Sequence, residues 1–247
     1  MKITSTHIKS QQLSSSTNNN ANNENSCLLS FGSYGGNKYE STAPQAITTG
    51  GETIGNKCLI ESRWMRVAQH QVRIMDDNKQ QPNIIDDWLW IDYHDRINVL
   101  VQDPKSTAES PSFLILKQTK YALSSKESLA VVGGIIEPGE EPLDAAKREV
   151  EEELQVSCNS WTHLGRYRTD VNRGMGWINP FLARDCSFFK QEVGSDVAQN
   201  NEVGAHDMEK QNVQSLTLSE VKAAVMNQEF VEVQWSNTVA LAMLHLM

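Results

Sequence analysis

The stretch from Gly133 to Val156, GGIIEPGEEPLDAAKREVEEELQV, decides how this chain is interpreted. A glycine-rich turn leads to a proline, and proline suits the first turn of a helix, so the pattern predicts a helix over Pro142–Leu154. At about 100° per residue, the apolar residues of this helix share one arc, which predicts a face packed on a sheet. They are Leu143, Ala146, Val150 and Leu154.

Three glutamates occupy the neighbouring arc of the same helix. Glu149, Glu152 and Glu153 fall within roughly 100° of one another. A bare run of glutamates is usually a solvated acidic face, and like charges at this spacing lower helix stability. Beside a glycine-rich turn and an arginine, however, converging carboxylates are typical of a hard-cation site for Mg²⁺ or Mn²⁺. Such a metal would neutralise a pyrophosphate and activate a bound water.

The full pattern resembles the Nudix box. It reads Gly134-x5-Glu140-x7-Arg148-Glu149-Val150-x-Glu152-Glu153-x-Gln155-Val156, and Gln155 stands where the box has glycine. A non-glycine residue in a left-handed helix cap costs about 1–2 kcal/mol, which predicts a rearranged helix end.

The resemblance implies an enzyme that cleaves the pyrophosphate of a nucleoside diphosphate linked to another group. It assigns metal binding to Glu149, Glu152 and Glu153, with the carbonyl of Gly133 and an auxiliary Glu140, and catalysis to Glu152 and Glu153. Arg148 and Gly134 would support the loop.

The rest of the chain predicts an α/β sandwich, because strands interleave with only three helices. The resemblance makes this a Nudix fold, a mixed β-sheet between helices with a small N-terminal β-strand extension. The predicted units are a disordered tail over 1–58, a strand segment over 59–95 and a Nudix domain over 96–247. The tail prediction rests on composition, since 15 of the first 26 residues are Ser, Thr or Asn.

Individual elements follow from alternation and turn signals. The predicted strands are Trp64–Ile74, Ile84–Tyr93, Ile97–Gln102, Phe113–Gln118, Leu129–Val132, Thr162–Asp170, Gly176–Asp185 and Val213–Leu216. Thr217 with Glu220 predicts a capping box that opens a second helix. A third helix is predicted over Asn237–His245.

The net charge of −9 disfavours long nucleic acids and anionic membranes as partners. The longest apolar run is about half of what a membrane span needs. Four cysteines without CxxC spacing favour reduced thiols in an intracellular protein, and a cytoplasmic location is expected. The Ser-rich tail leaves an organelle, plastid or mitochondrion, as the alternative.

Three pieces of sequence lie beyond the box: Arg63-Trp64 followed by Asp87-Trp88, Leu116-Lys117-Gln118 followed by Lys120, and Asp207-Met208-Glu209. Together they resemble the ADP-ribose and ADP-sugar pyrophosphatase branch. The resemblance implies that Trp64 and Trp88 stack on adenine, that Lys120 binds substrate, and that Glu209 on an acidic loop positions the attacking water. Glu202 and Asp207 are alternatives on that loop. It also implies a homodimer in which N-terminal strands complete the partner's adenine pocket.

Two departures weaken the substrate assignment. Lys120 replaces an arginine and loses bidentate phosphate contact, and Ala130 replaces a glutamate that contacts substrate in relatives. The alternatives are a non-catalytic Nudix-fold module that binds nucleotides, and a Nudix enzyme for dinucleotides, NADH, CoA or capped RNA.

Overall fold

The computed structural model describes residues 51–62, 64–75, 81–124, 126–189 and 211–247. The strands of these ranges are β1 Glu52–Glu61, β2 Arg66–Ile74, β3 Asn83–Asp92, β4 Arg96–Gln102, β5 Ser112–Thr119, β6 Glu127–Ala130, β7 Val132–Ile135, β8 Val156–His163, β9 Tyr167–Asp170, β10 Gly174–Phe188 and β11 Gln211–Thr217. The helices are α1 Pro142–Leu154, α2 Leu218–Met226 and α3 Val233–Leu246, with a short 3-10 turn at Tyr121–Leu123.

The strands form one mixed sheet in the order β1-β2-β3-β10-β4-β5-β11. Of the four remaining strands, β6 pairs with β5, β7 pairs with β4, and β8 and β9 pair with β10. The central strand β10 runs parallel to β4 and antiparallel to β8 and β9. Strands β4 and β5 are buried almost continuously, as strands covered on both faces are. Helices α1 and α3 both pack on β4, which confirms the predicted α/β sandwich.

Helix α1 begins and ends at the predicted residues. Pro142 lies at its first turn, and Ala145, Ala146, Val150 and Leu154 are buried against the sheet. The prediction for Leu143 is wrong, because its side chain is 37% exposed. The capping box of α2 is confirmed, since the side chains of Thr217 and Glu220 each bond the other residue's backbone N–H.

Gln155 ends α1 without the expected rearrangement. It adopts the left-handed conformation at φ 54°, and its backbone N–H donates to the carbonyl of Glu151. Its side-chain Nε2 donates to the same carbonyl at 2.8 Å. This second hydrogen bond offsets part of the conformational cost, so a glutamine replaces the glycine with the helix end intact.

Several predicted boundaries are wrong in ways that pairing explains. The predicted tail over 1–58 ends too late, because β1 begins at Glu52 and pairs along β2. Trp64 lies in a turn before β2. In this turn the Ser62 hydroxyl accepts hydrogen bonds from the backbone N–H groups of Trp64 and Met65. The predicted strand Thr162–Asp170 is broken into β8 and β9 around Gly165, which has φ 122°. Helix α3 begins at Val233, earlier than predicted.

The prediction of reduced thiols is also wrong for the described cysteines. Cys158 on β8 and Cys186 on β10 are directly opposite in the antiparallel pair and form a disulfide, with Cα atoms 3.9 Å apart. Cys58 is disulfide-bonded as well. Sequence spacing did not reveal the first pair, because strand register brings two residues 28 apart into contact. No helix in the described ranges has the length and apolarity needed to cross a membrane.

Candidate active site

A cavity of about 510 Å³ opens beside the glycine-rich turn. Strands β4, β5 and β7 form its walls, together with the first turn of α3. Its lining includes Tyr93, Arg96, Asn98, Gln118, Lys120, Gly133, Gly134, Glu153, Gln211, Glu232, Gln234 and Trp235. Residues of the box and residues at the start of α3 therefore line the same cavity.

Arg148 holds the loop of the box against α1. Its Nε and Nη2 donate to both carboxylate oxygens of Glu140 at 2.9 and 3.0 Å, and Nη2 also donates to the carbonyl of Ile135. Nη1 donates to Glu149 at 2.7 Å. The fork geometry of guanidinium permits these contacts at once, whereas a lysine ammonium would not. These hydrogen bonds tie the loop of the box to α1.

Gly134 lies directly against the carboxylate of Glu149. A Cβ at this position would collide with the Glu149 carboxyl group. The glycine is therefore required by close approach, and its φ is not among the positive values. Gly133 is similar, because a Cβ there would collide with the side-chain amide of Asn98.

The carboxylates of the box are electrostatically unequal. Burial raises the pKa of Glu149, the nearby charges of Glu152 and Glu140 add to the rise, and Arg148 opposes it. Burial also acts on Glu140, but hydrogen bonds from Arg148 and from the Glu137 N–H outweigh it and lower its pKa. A crowded, half-buried carboxylate such as Glu149 is one that a cation would stabilise.

The three predicted metal ligands do not converge on a single point in the structure. Glu149 contacts the glycine, Glu153 lines the cavity, and Glu152 is 55% exposed on its side chain, 3.5 Å from Arg148. Among the residues that the structure describes, no three His, Cys, Asp or Glu form a compact group. Both oxygens of Glu140 accept hydrogen bonds from within the chain, so its position favours support over metal contact.

Lys120, the residue that was predicted to bind substrate, lines the cavity. Glu232, the N-cap of α3, lies near it on the same lining. Burial raises the pKa of Glu232, and the positive charges of Arg96 and Lys120 oppose the rise. Two cations and one carboxyl group thus share this side of the cavity.

The two predicted adenine-stacking tryptophans lie elsewhere. Trp64 is 55% exposed in the turn before β2. Trp88, on β3, donates from Nε1 to the carbonyl of Asn172 at 2.8 Å, with Arg173 over its ring. Neither lines the cavity of its own chain. Their role in a partner's pocket stays a prediction, and so does the role of Glu209, which lies outside the described residues with Glu202 and Asp207.

Sequence reasoning did not identify Arg96, Asn98, Gln118, Glu232, Gln234 and Trp235 as lining residues. A signal was present for the amides: Asn98 and Gln118 interrupt or end apolar strands, and Gln234 lies within an apolar helix start. Polar residues at core positions are uncommon without a partner or a function.

Comparisons with known proteins agree with this fold and box. The NUDIX domain model matches residues 92–235, more than half of the chain. A solved structure described as an ADP compounds hydrolase superposes with a TM-score of 0.60 at 15% identity, covering 82% of this chain and 97% of the other. A search of curated proteins finds no match.

The fold and box define a hydrolase of the Nudix type. The chain belongs to the Nudix family, and it is a Nudix pyrophosphohydrolase. Nudix enzymes generally use divalent metals.

Proposed function

We propose that this enzyme hydrolyses ADP-ribose or a related ADP-sugar to AMP and the sugar phosphate, with Mg²⁺ or Mn²⁺. The observation that carries the proposal is that Glu153, Gly133 and Lys120 line one cavity large enough for a nucleotide derivative. The similar solved structure is described as an ADP compounds hydrolase, which supports a substrate of this class.

The residues fit a divalent cation by their chemistry. Carboxylates and a backbone carbonyl are oxygen ligands of the kind that Mg²⁺ and Mn²⁺ prefer. Glu149, Glu152, Glu153 and the carbonyl of Gly133 would hold it, and the Glu149 carboxylate lies directly against Gly134, which lines the cavity. A bound metal would supply charge neutralisation and a more acidic water.

Side chains of the protein supply the other contributions to the reaction. Lys120 and Arg96 offset the negative charge of the phosphates, and Arg148 keeps Glu149 in place. Water attacks one phosphorus, the bridging P–O bond breaks, and the oxygen leaves with the other phosphate. Glu209, in the acidic part of the sequence between β10 and β11, is the proposed base for this water.

A homodimer through β1–β3 belongs to the same proposal. Apolar side chains on these strands are exposed in the single chain, namely Leu59, Ile60, Ile84 and Leu89. An apolar surface of this kind is typical of an interface. Light scattering tests it, and a monomer that still cleaved ADP-ribose would contradict a pocket shared between subunits.

The test of function is a substrate panel with product identification, run with Mg²⁺ and then with a chelator. We expect AMP from ADP-ribose, and a kcat at least about 100-fold lower in Glu153→Gln and Glu152→Gln, because each loses a charged ligand for the transition state. Glu151→Gln is the matched control, since Glu151 is exposed on the same helix.

Two results would contradict the proposal. Unchanged activity in Glu152→Gln and Glu153→Gln would overturn the site assignment. If the wild type turned over no nucleoside diphosphate derivative with either metal, the chain would be a binding module instead.

A further inference from the structure

Glu232 brings a negative charge into a cavity that is proposed to hold phosphates. It lies at the N-cap of α3 and lines the cavity together with Gly133, Gly134 and Glu153 of the box. The residue is half-buried. Because an ionised carboxylate only accepts hydrogen bonds and a phosphate group is negatively charged, direct contact between the two is unfavourable. Glu232 therefore marks a part of the cavity that takes a different group of the substrate.

The side chain of Glu232 is not used by the fold. At an N-cap, a side-chain oxygen can accept from the first free N–H groups of the helix, but Glu232 makes no such hydrogen bond. Among the residues that the structure describes, its carboxylate accepts no hydrogen bond and forms no ion pair. Since the residue lines the cavity, a bound ligand can supply hydrogen-bond donors to it.

Two cations share this side of the cavity with Glu232. Burial raises the pKa of Glu232, and the positive charges of Arg96 and Lys120 oppose the rise, so both cations lie close enough to act on the carboxylate. The guanidinium of Arg96 also lies over the ring of Tyr93 at 5.0 Å, a cation–π contact that favours one orientation. The two cations favour the ionised form of Glu232, and in that form both of its oxygens are acceptors.

The register of β4 places Arg96, and with it Glu232, beside the box. Arg96 and Asn98 are neighbours on one face of β4, about 7 Å apart along the strand. Their register partners on β7 are Ile135 and Gly133. A substrate whose phosphates lie at Gly133 would therefore meet Arg96 and Glu232 with the group that is attached to the phosphates.

In the proposed substrates, a sugar is attached to each end of the pyrophosphate. One belongs to adenosine, and we call the other the terminal sugar. Trp64 and Trp88, the residues predicted to stack on adenine, do not line the cavity. With adenine at these tryptophans, the terminal sugar is the group that remains for the cavity.

The hydroxyl groups of a sugar suit a carboxylate acceptor. Neighbouring hydroxyl groups on a sugar ring are two donors a short distance apart, and the two oxygens of one carboxylate can accept from both. A hydrogen bond to an ionised acceptor is shorter and stronger than one between neutral groups. Gln118, Gln211 and Gln234 also line the cavity, and their carboxamides can pair with further hydroxyl groups.

We propose that Glu232 determines specificity for the terminal sugar by accepting hydrogen bonds from its hydroxyl groups. This rests on the proposed function for the pyrophosphate substrate. It deepens that function by naming a residue that recognises the group beyond the phosphates. Glu232 contacts the substrate but takes no part in breaking the P–O bond.

The test compares ADP-ribose with two analogues whose terminal ribose lacks either the 2-hydroxyl or the 3-hydroxyl group. We expect the wild type to favour ADP-ribose over at least one analogue by about tenfold or more in kcat/KM, because a site that hydrogen-bonds a hydroxyl group rejects a substrate without it. In Glu232→Leu this ratio should fall towards one. Glu232→Gln keeps one acceptor oxygen and should keep part of the ratio. If the wild type treated the three substrates alike, the proposal would fail.

The same substitutions at Glu229 are the matched controls. Glu229 is exposed in the connection before α3 and does not line the cavity, so its variants should keep the wild-type ratio. An equal loss of the ratio at Glu229 would overturn the proposal. Glu232→Gln preserves the shape of the side chain, so it tests the proposal even if leucine destabilises the fold.

Two binding experiments separate recognition of the sugar from other roles of Glu232. If Glu232 only orients Arg96 and Lys120, Glu232→Gln should bind inorganic pyrophosphate less tightly than the wild type. Recognition of the sugar predicts equal or tighter binding, because a negative charge is removed. If Glu232 accepts from the amino group of adenine, the variant should lose a preference for AMP over IMP. Weaker binding of pyrophosphate, or loss of a preference for AMP, would overturn the proposal.

Calorimetry with sugar phosphates keeps the test independent of catalysis. Binding of ribose 5-phosphate and of its 2-deoxy and 3-deoxy analogues needs no turnover. A preference for ribose 5-phosphate that Glu232→Leu loses would support the role of Glu232 even if no ADP-sugar were cleaved, whereas equal binding to the wild type would overturn it. Cleavage of ADP-ribose without discrimination among the sugars would overturn this proposal and leave the proposed function intact.

Discussion

The box and a junction at Asp95, in the connection between β3 and β4, both pair charged groups, but the paired residues lie at different distances along the chain. Every contact of Arg148 joins groups at most 13 residues apart. At the junction, Asp95 accepts from the Trp177 N–H and from Arg166, which lie 82 and 71 residues away. The first network belongs to one loop and helix, while the second exists only when the sheet has assembled.

This difference predicts whether a mutation in each network disturbs the site or the fold first. A local brace needs correct side chains within one segment, so a change there disturbs the site before it disturbs the fold. The junction ties the connection between β3 and β4 to β10 and to the segment before β9, and Arg166 also stacks on Trp177 at 4.0 Å. Because Asp95 is 1% exposed, a change there removes a buried ion-pair partner and acts on the fold first.

The largest expected effect breaks the box. Gly134→Ala places a Cβ on the Glu149 carboxylate, which must move away from its place against β7. We expect kcat to fall at least about 100-fold, since displaced catalytic groups cost this much. Steady-state kinetics with Mg²⁺ measure it.

Gly139→Ala is the matched control for that change. Gly139 lies in the same loop at φ 83°, but a Cβ there meets nothing within 4 Å. It should cost about 1–2 kcal/mol of stability from backbone strain and leave most of the activity. Equal kcat in the two variants would show that contact with Glu149 is not the reason for the glycine.

The second effect breaks the junction. Asp95→Ala removes the acceptor of the Trp177 N–H together with the partner of Arg166, and we expect it to lower the free energy of unfolding by about 3 kcal/mol. Denaturant unfolding measures this. Asp87→Ala, an exposed position on β3, should change it by less than about 0.5 kcal/mol. A loss at Asp95 no larger than at Asp87 would refute a structural junction.

The smallest effect sharpens the comparison at the end of the box. Gln155→Gly removes the strain of a left-handed glutamine but also loses the Nε2 bond to Glu151. Relief of the strain raises the free energy of unfolding, and loss of the hydrogen bond lowers it. We therefore expect a net gain of under about 1 kcal/mol. A measured loss would mean that the side-chain bond outweighs the strain.

Much of the box could be predicted because its determinants are local. Proline at the first turn and period 3.6 set the bounds of α1, and the arrangement of Arg148 with Glu140 and Glu149 follows from spacing on one loop and helix. Leu143 was mispredicted although its angle lies within the arc, because periodicity gives the direction of a side chain and not how far the sheet extends along the helix, and Leu143 is the second residue of α1.

The prediction of the residues that line the cavity was less complete, because the lining depends on the register of the strands. Lys120 was identified by resemblance and lies on the cavity, but Asn98, Gln118 and Gln234 carried no motif. The disulfide between Cys158 and Cys186 was missed for the same reason, since only the pairing of β8 with β10 brings the sulfurs together.

By itself the sequence determined the α/β class, the helix of the box and the glutamates that it carries, because turn chemistry and periodicity act within a few residues. The tertiary structure decided which residues line the cavity, which cysteines pair and which groups bond to the buried carboxylate of Asp95. These depend on strand order and register, which are set by burying β4 and β5 between helices, and contacts at that range leave no short pattern in the sequence.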